Sequence, residues 1–266
     1  MLNKIRSLRA SSHNVSHQEG EPFLKVSDLH VHYDGLPALH DVNFELQGGE
    51  QVAVVGPNGA GKSTLFKALA GVLSPSRGVV RLGGHDPEGH ICIAYLPQRS
   101  DVDWAFPVTV KDVVMMGRTG KLGFFHHPKS KDWEFVEECL SFVNLASLAD
   151  RRINELSGGQ QQRMFIAQSL AQEAELLLMD EPLAGLDLPS QDEVFTILED
   201  LKRRDVTVML STHNLNIAAE RFDAVMLLKG NMLGLGRPQE VFTNDNLEAA
   251  YGGRYEYISP HHHETA

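Results

Sequence analysis

Apolar and polar residues alternate over two stretches near the start of the chain. Leu24, Val26, Leu29, Val31 and Tyr33 stand at strand-like spacing, and Val42, Phe44 and Leu46 alternate with polar neighbours. Both patterns predict strands buried on one face. Residues 51–55 (QVAVV) are instead continuously apolar, as expected of a strand covered on both faces. A glycine-rich turn follows, then KSTLFKALAG, a helical pattern ended by Gly71. Val79-Val80 and residues 91–95 (ICIAY) read as further strands.

From about Pro97 to Leu156 the texture is helical. Thr109 lies three residues before Asp112, a capping-box start for a helix through Met116. Trp133, Val136, Leu140 and Val143 recur on one face of a second helix. A third starts at Gly158-Gly159 and runs to about Gln172. Strand texture returns at 176–179 (LLLM). A helix with Pro189 near its start follows, with an apolar stripe of Val194, Ile197, Leu198 and Leu201. Residues 206–210 read as a strand, a helix starts near Asn214, and AVMLLKGNMLGLG reads as a hairpin turned at Gly230-Asn231. The whole is an α/β core interrupted by a helical insert. The expected boundaries are a tail over 1–22, a core over 23–96 and 173–250, the insert over 97–172, and a tail over 251–266.

Composition is that of an ordinary globular chain: 266 residues, 42% hydrophobic and 22% charged. The net charge of −11 argues against a broad basic surface for nucleic acid or for anionic lipid. Cys92 and Cys139 are the only cysteines and form no CxxC, which fits a reducing compartment. No apolar run approaches the ~18 residues of a spanning helix, and the basic, serine-rich N-terminus lacks the apolar stretch of a signal peptide. His261-His262-His263 reads as a tail rather than a metal site.

Three motifs carry chemistry. Gly56-Pro57-Asn58-Gly59-Ala60-Gly61-Lys62-Ser63-Thr64 fits G-x-x-x-x-G-K-[ST] between a predicted strand and a predicted helix. Its backbone N–H groups suit a polyphosphate, Lys62 supplies a point charge, and Ser63 is suited to ligate Mg²⁺. The acidic net charge does not oppose this. Screened over ~8 Å, the repulsion sums to about 1 kcal/mol, whereas charge-assisted hydrogen bonds give ~1.5–3 kcal/mol each.

Second, the apolar strand 176–179 ends in Asp180-Glu181, at the sheet edge where ligands bind in open α/β folds. Asp180 is suited to hold Mg²⁺ through water, and Glu181 to act as a general base. A solvated strand end is the competing reading. Third, Leu156-Ser157-Gly158-Gly159-Gln160 opens a helix, either as a second anion site or as an ordinary capped start.

These motifs, in this order, resemble the ATP-binding cassette (ABC) ATPases over about residues 23–245, with Leu156–Gln160 as the family's signature. The resemblance implies an α/β P-loop NTPase core, a mixed sheet with an antiparallel β subdomain, plus a helical subdomain. It implies ATP and Mg²⁺ as cofactors. It also implies roles for single residues: Tyr33 stacking on adenine, Gln98 as the Q-loop glutamine near Mg²⁺, Asp187 as the D-loop aspartate, and His213 as the switch histidine. Glu181, His213 and Lys62 would be catalytic, and Ser63, Gln98 and Asp180 would surround Mg²⁺.

In this family ATP lies between the P-loop of one subunit and the signature of another, so a homodimer is expected. Trp104-Ala105-Phe106-Pro107-Val108-Thr109-Val110 and Met116-Gly117-Arg118 resemble the ATPases of manganese, zinc and iron importers. That implies a peripheral subunit on the cytoplasmic face of the membrane, joined to permease subunits and, through them, to a substrate-binding protein. Haem, siderophore or phosphonate importers and a soluble assembly ATPase are the alternatives. Trp104 and Phe106 either line the permease groove or pack the insert onto the core. Phe124–His127 is either a contact patch or a loop.

Overall fold

The two alternating stretches form β1 (Leu24–Tyr33) and β2 (Leu36–Leu46), an antiparallel pair that buries Leu24, Val26, Leu29, Val31, Val42, Phe44 and Leu46, while Tyr33 at the end of β1 stays exposed. The structure, a computed structural model, describes residues 21–85, 92–122 and 127–253. The expectations for residues 1–20, Ile91, Phe124–His126 and the His261–His263 segment lie outside the described residues.

The run at 51–55 forms β3 (Gln51–Val55), buried at every position. Side chains of a strand alternate between faces, and here each face meets a different core. Val52 and Val54 join one apolar cluster, Ala53 and Val55 another. The first cluster also holds β1, β2, β4 (Arg77–Leu82) and the inner face of α1 (Lys62–Leu69). Three of these strands form a small sheet of order β2-β1-β4. α1 thus lies between the small sheet and the large one, and each fully buried Leu or Val there contributes ~1.5–3 kcal/mol.

The second cluster lies under the helices. Between β5 (Ile93–Leu96) and β6 (Leu176–Met179) the chain runs through α2 (Val110–Met116), α3 (Thr119–Leu122), α4 (Ser130–Phe142) and α5 (Gly158–Gln172). The capping box at Thr109 forms as read. Asp112 N–H donates to Thr109 Oγ1 at 3.4 Å, and Thr109 N–H donates to Asp112 Oδ2 at 3.0 Å. Val136, Leu140 and Val143 are buried, while Trp133 is only half-buried.

After β6 come α6 (Leu188–Lys202), β7 (Thr207–Thr212), α7 (Leu215–Arg221), β8 (Ala224–Lys229) and β9 (Asn231–Gly236). The large sheet has the order β5-β6-β7-β3-β8-β9, parallel except for the β8–β9 hairpin. Boundaries differ from the sequence reading at β5, which runs one residue further to Leu96, at β7 and at the hairpin. β7 continues to Thr212 because its pairing with β3 runs to Val55 opposite Thr212. The hairpin turns on Gly230 alone, with Lys229 paired to Asn231. Two further helices, α8 (Pro238–Val241) and α9 (Asn244–Tyr251), cover β8 and β9. They are too short to announce themselves by periodicity.

Candidate nucleotide site

The parallel strands β3, β6 and β7 lie side by side, so the loops at their C-terminal ends converge on one edge of the sheet. The loop after β3 is the glycine-rich segment. Asn58 and Gly59 are exposed on its rim, Ala60 and Lys62 are buried, and Ser63 and Thr64 are half-buried. Gly61 begins α1 at φ +96°, a left-handed conformation that favours glycine. No side chain caps this helix end, so its first N–H groups point outward unspent by side chains.

Lys62 folds back over the loop. Its Nζ donates to the Gly56 carbonyl at 2.8 Å and to the Pro57 carbonyl at 3.2 Å. Burial lowers its pKa below the 10.5 of an exposed lysine, against the opposing pull of the Glu181 and Asp180 carboxylates. The hairpin grips the loop from the other side. Gly230 N–H donates to the Ala60 carbonyl at 2.8 Å, and the Gly230 carbonyl accepts from His40 N–H at 2.8 Å.

The acids stand next door. Asp180 is 3% exposed, and its Oδ1 accepts from Ser211 Oγ at 2.6 Å. Glu181 turns the chain at φ +48°, a left-handed conformation costing ~1–2 kcal/mol for a residue with a Cβ. Its N–H donates to Ser211 Oγ at 2.8 Å. Its carboxylate accepts from Gln98 Nε2 at 2.8 Å. Glu181, His213, Ala184, Gly185 and Ser211 share the lining of one cavity of about 180 Å³. Ser63, Gln98 and Asp180 offer a hydroxyl, an amide and a carboxylate, hard oxygen donors of the kind Mg²⁺ takes alongside phosphate oxygens.

So Lys62, Gln98, Asp180, Glu181 and His213 come together. Tyr33 ends β1, 45% exposed. The Leu156–Gln160 turn has other neighbours. Ser157 caps α5 in a capping box: its Oγ accepts from Gln160 N–H at 3.3 Å, and Gln160 Oε1 accepts from Ser157 N–H at 3.0 Å. A methyl on Gly159 would lie 2.6 Å from Ser190 Oγ, so only glycine lets α5 pack this close to the start of α6. Asp187 caps α6 and accepts the Ser190 N–H at 3.2 Å. Hydrogen bonding from Ser190 holds its exposed carboxyl below the usual carboxylate value.

Three residues stand out that the motifs did not single out for a role. Arg99 donates to Gln161 Oε1 at 2.7 Å and its carbonyl accepts from Trp104 Nε1 at 3.0 Å, tying the segment after Gln98 to α5. Trp104 packs edge-on to Phe165 with ring centroids 5.6 Å apart, whereas Phe106 is 55% exposed. Arg118 is half-buried: it pairs with Glu173 at 2.5 Å and Asp132 at 3.5 Å and covers Phe135. Ser211, the third, is a fully buried hydroxyl near the end of β7, one residue beyond the strand read from the sequence and the kind of buried polar group that carries information.

A glycine-rich loop between a central parallel strand and a helix, with acids ending β6 on the far side of β7, places the chain in the α/β P-loop NTPase fold class. Residues 39–184 match the ABC transporter family model, and the chain belongs to that family. It is 43% identical to the chelated iron transport system membrane protein YfeB of Yersinia pestis over 243 residues, covering 90% of this chain and 82% of that one. It is 39% identical to the manganese transport system ATP-binding protein MntB of Bacillus subtilis, covering 88% and 94%. The zinc transport system ATP-binding protein TroB of Treponema pallidum is 43% identical, with 87% of each covered. Among solved structures, a chain assigned to the metal-chelate type of ABC transporter, in an inward-facing conformation, matches at 35% identity. Its TM-score is 0.78, over 87% of this chain and 89% of that one.

Proposed function

We propose that this chain is the ATP-hydrolysing subunit that powers a membrane importer for divalent metal ions of the manganese, zinc and iron class. The observation that carries the chemistry is the meeting of Lys62, Gln98, Asp180 and Glu181 at one sheet edge, with the Gln98 amide on the Glu181 carboxylate at 2.8 Å. Relatives named for manganese, zinc and iron transport support the cargo.

The loop Gly56–Thr64 wraps the phosphates of ATP with its N–H groups, and Lys62 exchanges its carbonyl partners for phosphate oxygens. Tyr33 stacks on the adenine. Ser63, Gln98 and Asp180 would hold Mg²⁺, which when bound supplies positive charge against the phosphates. Glu181 accepts a proton from the attacking water as its oxygen bonds to the γ-phosphorus and the bond to ADP breaks. His213, across the same cavity, orients that phosphate.

The signature residues Leu156–Gln160 act on the ATP of a second copy, with Asp187 at the junction, so two chains pair head to tail about a two-fold axis. Residues 23–96 and 173–250 act as the nucleotide core and 97–172 as the lobe that carries the signature. The pair sits on the cytoplasmic face of the membrane against permease subunits, which receive metal from a substrate-binding protein. Among the described residues no helix is long and apolar enough to cross a membrane, which fits a peripheral position.

Uptake assays in cells lacking the chain test this. Accumulation of labelled manganese, zinc or iron should fall and return with the wild-type chain but not with Glu181→Gln. A defect confined to haem, siderophore or phosphonate uptake would move the cargo. Unchanged uptake of all of them would point to an assembly ATPase.

A further inference from the structure

We infer that Ser211 is a positioning residue that sets the cation-binding carboxylate and the catalytic base relative to one another through a single hydroxyl. The inference rests on the reading of Asp180 and Glu181 given above.

β6 and β7 are adjacent and parallel, in register from Leu176 opposite Thr207 to Met179 opposite Leu210. One step further along, Asp180 and Glu181 leave β6 while β7 continues through Ser211 and Thr212 on its pairing with β3. Ser211 is therefore held by the sheet, while Asp180 keeps one backbone bond, its N–H to the Leu96 carbonyl at 2.9 Å, and Glu181 leaves the sheet in a turn. It is fully buried, at 0% exposure.

A hydroxyl has one proton to give. The Glu181 N–H donates to Ser211 Oγ, so that contact uses an oxygen lone pair. The hydroxyl proton is left for Asp180 Oδ1, 2.6 Å away. Both directions are thereby assigned without choice. Asp180 has one oxygen, Oδ1, committed to Ser211. Glu181 has its backbone N–H fixed, which holds the left-handed turn at φ +48° that points its carboxylate to Gln98 and the shared cavity. Removing the oxygen takes one hydrogen bond from each acid and leaves the Glu181 N–H without its partner. Lys62 and the loop carbonyls it touches have no bond to Ser211, so contacts to the phosphates survive its loss.

The test uses the full-length chain, Ser211→Ala and Ser211→Cys, the second because it fills the same volume with only a weak donor. Urea unfolding first shows which variants keep a cooperative fold. A fluorescent ATP analogue is then titrated without Mg²⁺, and Mg²⁺ is titrated into the saturated complex; turnover is measured at saturating ATP and Mg²⁺.

Both variants should bind the analogue without Mg²⁺ within about twofold of wild type. Both should need roughly tenfold or more Mg²⁺ for half-saturation and should turn over roughly tenfold or more slowly, as expected from losing a hydrogen bond to a charged group. Wild-type Mg²⁺ dependence in Ser211→Ala overturns the inference. So does wild-type behaviour of Ser211→Cys, which would make the residue a space-filler. Loss of Mg²⁺-free binding in a folded variant also overturns it, because the defect would then lie in the whole pocket. If the wild-type chain itself neither binds the analogue nor hydrolyses ATP, the underlying functional reading fails instead.

Discussion

Two helices of this chain begin at sites suited to anions, and they begin differently. α1 starts at Gly61, in a left-handed conformation and with no side chain spent on its first N–H groups. α5 starts at Ser157 inside a capping box that uses the Gln160 N–H internally. The first end is left open by its own sequence and buries a lysine beside it. The second is already capped, exposes its serine, and has its glycines pressed against Ser190, Arg99 and Leu186 of the same chain. A helix end stripped of caps can take a whole polyphosphate. A capped end keeps only a few donors and suits a single phosphate offered from outside. Under the function proposed above, the contrast lets one chain carry both motifs without one nucleotide using both.

The largest effect that sharpens this contrast is on binding. Lys62→Ala should weaken ATP binding to the isolated chain by about 100-fold or more in calorimetry, since it removes charge-assisted bonds of ~1.5–3 kcal/mol each. Ser157→Ala should leave that affinity within about twofold while lowering turnover. Comparable losses of affinity in both variants would erase the distinction between the two helix ends.

Next in size is stability. Gly61→Ala forces a Cβ into a left-handed residue and within 2.6 Å of Leu39 Cδ2, and should cost about 1–3 kcal/mol in urea unfolding. Ser157→Ala loses a cap and should cost about 1 kcal/mol. The reverse order would mean that α1 is not held by its glycine.

The smallest effect is on pH. Burial lowers the Lys62 pKa below 10.5, so on raising pH the ammonium loses its proton earlier than an exposed lysine. Bound phosphate favours the charged form and pulls the other way. ATP affinity should therefore hold through neutral pH and fall on the alkaline side, with the fall starting below 10.5. Lys62→Arg, which stays charged there, should flatten the profile even if its affinity is lower. An unchanged alkaline fall in that variant would assign it to another group.

Much of this was legible locally. The continuous apolar run of β3 revealed a strand buried on both faces, and the Thr109–Asp112 spacing revealed a helix start. The P-loop was legible because its chemistry lies in consecutive residues. What stayed hidden depends on contacts between distant segments. Ser211 needed the register of β6 against β7. Gly159 read as an anion-site glycine, yet its close approach to Ser190 is equally a packing requirement visible only in three dimensions. Arg118 belonged to a motif associated with the permease groove, and it turns inward because Glu173 and Asp132, far apart in sequence, converge on it. α8 and α9 are capped rather than periodic, and caps alone are weak signals.

The grip of the β8–β9 hairpin on the P-loop has a thermodynamic consequence. Gly230 holds the Ala60 carbonyl and His40 holds Gly230, so the folded hairpin supports the shape of the loop. Binding need not supply the entropy of ordering a floppy loop. By linkage the relation runs both ways: occupancy of the pocket protects a hairpin from the far end of the chain, and fraying of that hairpin is felt as lost affinity at a loop with which it shares no sequence neighbourhood.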